Sequence, residues 1–255
     1  MSRRLATALA AALCLLLLGA GVASAIRGEI GNTAVSATVT MQPRILPAKG
    51  GAPITLTSVT RVKTKDGTPP EKLTGIEFLI DKHGYVDARR LPVCTIAKLQ
   101  DTTTAQARRR CLGALVGAGT VQALVNLPGK PQTKVALAVS FFNGPKAGGQ
   151  PSVIGHAHET VPASRTLLLP VTVQKVRNGR YGYRVEVELP QIADGYGVPV
   201  LAEASVGQTR ERGGRKVGFL NAYCSGGRLQ AKGTLNFENG DRFPALLTSP
   251  CNVRR

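Results

Sequence analysis

The chain lacks tryptophan, and aromatic residues make up only 4% of its 255 residues. Proteins that bind single-stranded nucleic acid stack bases on aromatic side chains, and the sugar subsites of glycosidases usually rely on the same faces. The scarcity of these residues argues against sequence-specific nucleic-acid binding and weakens a glycosidase assignment. Hydrophobic residues still reach 43%, which suits a globular core and excludes a wholly disordered chain.

Common catalytic and cofactor motifs are missing as well. The sequence contains no GxSxG nucleophile elbow, no phosphate loop ending in GKS or GKT and no CxxC pair. No serine or cysteine has a credible base close to it in sequence. Gly113, Gly117 and Gly119 follow a predicted helix and precede a predicted strand, which is the reverse of a dinucleotide-binding fingerprint. We therefore interpret them as a helix end and a strand entry, and we expect no cofactor.

The first 25 residues predict a secretory signal peptide. Arg3-Arg4 provides a basic start, residues 5–18 form an apolar run, and Ala23-Ser24-Ala25 offers the small residues of a cleavage site before Ile26. The run is shorter than the roughly 20 residues that a membrane span needs, so an uncleaved anchor is the less favoured alternative. A twin-arginine signal is also less favoured. Removal of Arg3 and Arg4 lowers the formal net charge from +18 to +16.

After this segment no long apolar stretch occurs, so residues 26–255 are expected to be secreted, without a membrane span, as one domain. Four cysteines remain in this part: Cys94, Cys111, Cys224 and Cys251. Four thiols in an exported protein indicate two disulfides, for which three pairings exist. The short gaps favour Cys94 with Cys111 and Cys224 with Cys251. A zinc site is disfavoured because the three histidines lie far from the cysteines in sequence.

Alternation of apolar and polar residues predicts β-strands along most of the chain. Asn178-Gly179 and Asn239-Gly240 are typical of tight hairpins. The predicted strands cover residues 34–41, 53–62, 119–126, 135–142, 167–176, 181–189, 201–209, 217–224 and 228–237.

One segment departs from the strand pattern. Residues 102–104 are all threonine and can cap a helix that runs from about residue 105 to 116, where Ala and Arg dominate. The expected fold is therefore an all-β, antiparallel sandwich of jelly-roll type with one short helical insertion at about residues 103–116. Similar spacing after Cys94 and Cys224 leaves open an alternative with two related halves that meet near residues 161–165.

Short motifs are spread over nearly the whole chain after the signal peptide. They lie at residues 43–50, 91–94, 116–120, 142–144, 169–173, 178–182, 227–233 and 250–251. The order of these motifs resembles an uncharacterised family of secreted proteins from high-GC Gram-positive bacteria. The resemblance implies a signal peptide and an all-β body, and it brings no catalytic residues.

Two pairs of residues invite a catalytic or metal-binding interpretation. Glu186 and Glu188 share one face of a predicted strand, as paired carboxylates of a glycosidase would, but the same alternation is typical of a solvated strand face. His156 and His158 alternate in the same way and offer two ligands to a metal. A third ligand is not evident, so a surface or hydrogen-bonded role is favoured for both histidines.

Basic clusters are the remaining signal. They contain Arg108, Arg109, Arg110, Arg212, Arg215 and Lys216. An excess of positive charge attracts anionic wall polymers, lipid headgroups and DNA, with an attraction that falls as salt rises. The leading expectation is a non-catalytic protein of the cell envelope or extracellular matrix. The alternatives are a polyanion-binding module that uses these clusters and a glycoside hydrolase that uses Glu186 and Glu188.

Overall fold

A computed structural model describes residues 24–254 of the chain. Residues 1–23 and Arg255 lie outside the described residues, so the signal peptide and export stay predictions. Ser24 and Ala25, which precede the predicted cleavage site, belong to the first strand and pair with Val39 and Thr38. Among the described residues, no helix has the length and apolar character needed to cross a membrane.

Nineteen strands and two short helices lie within residues 24–254. The strands are β1 Ser24–Ile30, β2 Thr33–Gln42, β3 Ile45–Leu46, β4 Ala52–Pro53, β5 Thr55–Thr64, β6 Leu73–Asp81, β7 Gly84–Val86, β8 Leu115–Val125, β9 Thr133–Asn143, β10 Ser152–Glu159, β11 Arg165–Asn178, β12 Tyr181–Glu188, β13 Gly197–Val206, β14 Thr209–Arg212, β15 Arg215–Gly218, β16 Leu220–Ala222, β17 Arg228–Phe237, β18 Arg242–Pro250 and β19 Asn252–Val253. The helices are α1 Ile96–Leu99 and α2 Thr104–Arg110, with 3-10 turns at Leu112–Ala114 and Ala193–Gly195.

Twelve strands form one antiparallel sheet in the order β1-β2-β5-β13-β8-β9-β10-β11-β12-β6-β17-β18. Its first and last strands lie against each other, because a Cβ atom on Gly28 of β1 would stand 2.7 Å from the ring of Phe243 in β18. The sheet is therefore nearly closed. The all-β, antiparallel class is confirmed, whereas the strand order does not confirm a jelly roll. A division into two halves near residues 161–165 stays a prediction.

Alternate side chains of this sheet form its core. Val35 of β2 and Val62 of β5 pack against Phe237 and Phe243. The same periodicity that predicted the strands from the sequence thus places the apolar face inside. Each fully buried side chain of this size stabilises the fold by about 1.5–3 kcal/mol, so these packed layers are the main source of stability.

Both expected disulfides are present. Cys94 bonds to Cys111 and Cys224 bonds to Cys251, with Cα–Cα distances of 5.7 and 5.9 Å. All four cysteines are buried. The first disulfide joins the end of α2 to the segment before α1, and the second fastens the loop after β16 to the end of β18.

The helical insertion is confirmed at its start and wrong at its end. Thr103 caps α2, because the Gln106 N–H donates to Thr103 Oγ1 and the Thr103 N–H donates to Gln106 Oε1. The predicted helix extends to Val116, but α2 ends at Arg110 and Val116 lies in β8. There the chain pairs with β13 so tightly that a Cβ on Gly117 would stand 2.6 Å from Ser205 O.

Two predicted strands also have different bounds. The strand predicted at 201–209 ends at Val206, because Gly207 takes a φ of +105° and a Cβ there would stand 2.2 Å from Ile54 O. The strand predicted at 217–224 is divided into β15 and β16, and Phe219 between them is almost fully buried. Both predicted hairpins exist, with turns at residues 179–180 and 238–241.

Candidate functional site

The basic residues predicted on the helix do not all face solvent. Arg108 donates through Nε to Ser140 Oγ at 2.8 Å and through Nη2 to Val139 O at 3.5 Å. Arg110 is exposed and donates to Lys98 O, and Arg109 is exposed. The guanidinium of Arg108 is therefore used inside the protein, which leaves Arg109 and Arg110 to meet a ligand.

The second basic segment lies beside the end of this helix. Arg210 of β14 donates to the carbonyl oxygens of Leu112, Gly113 and Leu115 at 2.6, 2.6 and 3.0 Å. Two basic segments that lie far apart in sequence are therefore neighbours. Lys216 of β15 is exposed. The side chains of Arg212 and Arg215 lie outside the described residues.

A second cationic surface, which the sequence did not reveal, lines a cleft of about 450 Å³. Its walls carry the aromatic rings of Tyr85 and Tyr183 and the cations Arg89, Lys146 and Lys175. An adjoining cavity of about 380 Å³ shares Lys175 and Tyr183 with it. We call these two cavities together the cationic cleft. Its five exposed cations are Lys82, Arg89, Lys146, Lys175 and Arg177.

All charged side chains that line the cationic cleft are positive. No Asp or Glu is among the described residues that line either cavity. Asp87 lies close by and its carboxylate oxygens stand 3.8 Å from Arg89 Nε and 3.4 Å from Arg90 Nε. The cleft lining therefore favours an anionic ligand, with Arg89 partly neutralised by Asp87.

Polar contacts fix the walls of the cleft. The Asn143 amide donates to the carbonyl oxygens of Ala88, Leu91 and Pro92 at 3.0–3.3 Å, and the Tyr85 hydroxyl donates to Gly50 O at 3.0 Å. Burial raises the pKa of the Tyr85 phenol and of the Tyr183 phenol. Both rings are therefore neutral near pH 7, and they add no negative charge to the cleft.

The two glutamates proposed from the sequence lie on a solvated strand face. Glu186 and Glu188 of β12 are exposed and line neither cavity of the cationic cleft. Arg184 contacts Glu186 at 3.5 Å and donates to Glu77 of the neighbouring strand at 3.1 Å. The arrangement is an ion-paired surface, and a glycosidase role for the pair stays a prediction.

The two histidines have separate surroundings. His156 is 1% exposed, and its Nε2 lies 2.9 Å from Thr102 Oγ1 and 3.1 Å from Thr102 O. Burial lowers the pKa of His156. His158 is half-buried, and its Nε2 lies 3.0 Å from Ser164 Oγ. Residues 24–254 contain no group of three or more metal-ligating side chains.

A third constellation brings together residues that the sequence analysis left apart. Asp81, at the end of β6, lies 2.7 Å from His83 Nδ1, and His83 Nε2 lies 2.8 Å from Ser225 Oγ. His83 and Ser225 are separated by 142 residues in sequence. The sequence showed no base close to Ser225. In the folded chain, the pairing of β7 with β16 brings His83 next to Ser225.

Searches against protein-family models, curated proteins and solved structures find no match for this chain. The resemblance to secreted proteins of high-GC Gram-positive bacteria therefore stays a prediction. The candidate functional sites in the described residues are the cationic cleft and the constellation of Asp81, His83 and Ser225.

Proposed function

We propose that the protein is exported and binds an anionic polymer of the cell envelope or extracellular matrix in the cationic cleft. The observation that carries this proposal is a cleft lined by two tyrosine rings and five cations, with no carboxylate in its lining. Two buried disulfides are consistent with an oxidising compartment outside the cytoplasm.

Charge supports binding at the cleft in two ways. The whole chain carries a formal net charge of +18, which draws polyanions towards its surface at long range. Within the cleft, Lys175 belongs to both cavities and places its cation between them. An anion bound there meets positive groups on either side, and nearby low-dielectric walls strengthen the attraction.

The shape of the cleft favours a linear polymer with phosphate or sulfate groups. Arg89 and Lys146 line only the first cavity, Lys82 and Arg177 line only the second, and Lys175 lines both. An extended chain with repeated anionic groups matches cations spread over two adjoining cavities better than a single small anion. Tyr85 and Tyr183 offer flat apolar faces between the charges, which suit the carbon skeleton of a sugar or polyol. An anionic wall polymer has both features.

Retention on immobilised heparin and on purified anionic wall polymer tests this proposal. The wild-type protein should stay bound at physiological salt, and the log–log slope of affinity against salt should be negative. Replacement of Lys175 by Ala should lower the magnitude of this slope by about 1, and addition of Lys82→Ala and Arg177→Ala should lower it further. Lys134→Ala is the matched control, because Lys134 is exposed and lines neither cavity.

The basic clusters predicted from the sequence are the alternative binding site for the polymer. An Arg109→Ala/Lys216→Ala variant should bind like wild type if the cleft is the site. Loss of retention in that variant, with normal retention after Lys175→Ala, would overturn the proposal in favour of the helix end. Elution of the wild-type protein at very low salt would overturn polymer binding altogether. Equal retention on duplex DNA or anionic vesicles would identify charge alone as the determinant.

A further inference from the structure

A buried carboxylate, an imidazole and an exposed hydroxyl form a chain of hydrogen bonds. Asp81 is 2% exposed, the His83 side chain is 19% exposed, and Ser225 is exposed. The order of burial follows the order of contacts, from Asp81 Oδ1 through the ring to Ser225 Oγ. A hydroxyl that reaches solvent at the end of such a chain is the arrangement of a serine nucleophile with its general base.

The carboxylate is held as an orienting group. Asp81 Oδ1 also accepts from the His83 N–H at 3.1 Å. Its Oδ2 accepts from Arg180 Nε and from the Gln230 N–H, each at 3.0 Å. These contacts hold a negative charge in a buried position beside Nδ1. A proton on Nδ1 is therefore favoured, which leaves Nε2 to accept the proton of Ser225.

The imidazole is fixed from its other side. The Tyr223 ring meets the His83 ring edge-on, with centroids 4.9 Å apart and planes at 84°. The Tyr223 N–H also donates to His83 O at 3.1 Å. A general base needs such packing, because rotation of its ring would break the contact with the nucleophile.

The loop that carries Ser225 is fastened at both ends. Cys224 is fully buried, forms the disulfide with Cys251 and donates its N–H to Pro47 O. Gly227 O accepts from the Cys251 N–H at 2.9 Å. Beside Ser225 the surface is open, because a Cβ placed on Gly226 or Gly227 would meet no described atom within 4 Å. A substrate therefore has room to approach Ser225.

We propose that Ser225, His83 and Asp81 form a serine hydrolase site that cleaves short-chain acyl esters. A short acyl group is favoured because Ser225 and His83 line neither cavity of the cationic cleft, and a Cβ on the neighbouring Gly226 or Gly227 would meet no described apolar atom within 4 Å. Ser225 is the nucleophile, His83 is the general base and acid, and Asp81 is the residue that positions His83.

Each step of the reaction balances. Ser225 Oγ forms a bond to the ester carbonyl carbon while its proton moves to His83 Nε2. The tetrahedral intermediate then breaks the bond to the leaving alcohol oxygen, which takes the proton from His83. Water attacks the acyl-serine with His83 as base, and the acid is released as Ser225 recovers its proton. Water is the only co-reactant in this sequence of steps.

The chain contains an internal comparison for this assignment. His158 Nε2 lies 3.0 Å from Ser164 Oγ, a serine–histidine contact of similar length. His158 Nδ1, however, is buried and has no hydrogen-bond partner among the described residues. Without a carboxylate to orient and stabilise its imidazolium, the Ser164 pair lacks the third member that Ser225 possesses.

A fluorophosphonate probe and 4-nitrophenyl acetate test the proposal with the full secreted protein. The probe should attach to Ser225 with loss of fluoride, which peptide mass mapping detects. Ser225→Ala and His83→Gln should each lower the rate of acetate ester hydrolysis by at least about a hundredfold. Ser164→Ala should leave both readouts unchanged, and the octanoate ester should be cleaved more slowly than the acetate.

Several outcomes would overturn the assignment. Labelling of another residue would do so, as would hydrolysis that survives Ser225→Ala. An unlabelled Ser225 in a protein whose circular-dichroism spectrum is that of a folded β-protein would do so as well. Since Ser225 is exposed, its replacement by Ala should not unfold the chain, and thermal melting of the variant checks this. The inference is independent of polymer binding, because Ser225→Ala should keep heparin retention and Lys175→Ala should keep ester hydrolysis.

Discussion

The two buried carboxylates among the described residues, Asp81 and Glu159, each have several polar partners. Glu159 is 2% exposed and contacts Arg165 and the Ala193 N–H. Asp81 accepts four hydrogen bonds from His83, Arg180 and Gln230. Most of these partners lie far along the chain, so the sequence marks such residues only as polar. Their roles depend on contacts that only the folded chain creates.

The free energy of unfolding should depend on pH through His156. Its folded-state pKa lies below the unfolded value because burial disfavours the imidazolium. The unfolded chain therefore binds the proton more readily, and the free energy of unfolding should be highest above the unfolded pKa of about 6.5 and fall as pH drops through the folded pKa. Urea titrations between pH 8 and acid should show this loss in wild type.

The matched variant for this prediction is His156→Gln, which has no titrating group at that position. Its free energy of unfolding should change less with pH than that of wild type over the same range. His158 is the titratable neighbour that influences the pKa of His156, and it is present in both proteins. An identical pH dependence in the two proteins would contradict the assignment.

The alternation of apolar and polar residues predicts some strands of this protein well and others poorly. The predicted strands at 34–41, 135–142 and 228–237 match β2, β9 and β17 to within two residues, because one face of each packs inside and the other meets solvent. In β10 the sequence showed only the alternation of His156 and His158, because most side chains of this strand are buried on both faces and give no apolar–polar pattern. β18 was missed because Pro244 and Pro250 interrupt it, which an edge strand tolerates.

The two disulfides should have separable effects on these elements. A Cys94→Ala/Cys111→Ala variant should lose about 2–4 kcal/mol of stability in urea titration, because the closed loop no longer restricts the unfolded chain. Ester hydrolysis should persist, since α2 contacts β9 and β10, which β11 and β12 separate from β6 and β17 in the sheet order. A Cys224→Ala/Cys251→Ala variant should lose both stability and hydrolysis, because it releases the loop of Ser225.

Two results would contradict the expected effects of removing each disulfide. Equal rates of hydrolysis in the two double variants, measured where both remain folded, would show that the second disulfide does not hold Ser225 in place. Unchanged stability of the first variant would show that α2 is fixed by its Thr103 cap and its core contacts alone.

For the whole molecule, the sequence predicted class, cysteine pairing and charge, but not the location of either candidate site. Net charge is a sum over residues and cysteine spacing is local, so both can be obtained without a structure. The cationic cleft assembles Tyr85, Lys146 and Tyr183 from three separate segments, and the nucleophile site assembles Asp81 and Ser225 across 144 positions. Contacts of that range follow from the pairing of strands that are distant in sequence, such as β7 with β16, which no local pattern encodes.

Intact mass of the exported protein tests the whole-molecule predictions together. The mass should correspond to residues 26–255, and reduction should raise it by four hydrogen atoms, two for each disulfide. A protein of full length would contradict cleavage after Ala25. Four free thiols in freshly harvested material would contradict the oxidised state.

The position of β1 has a consequence for the order of events during maturation. Ser24 and Ala25 pair with Val39 and Thr38, yet a peptidase that cuts after Ala25 must hold the same residues extended in its own active site. Cleavage after Ala25 and pairing of Ser24 and Ala25 in β1 therefore cannot occur at the same time on one chain. We expect cleavage to come first, after which Ile26, as the new amino terminus, packs in the cluster that contains Phe243.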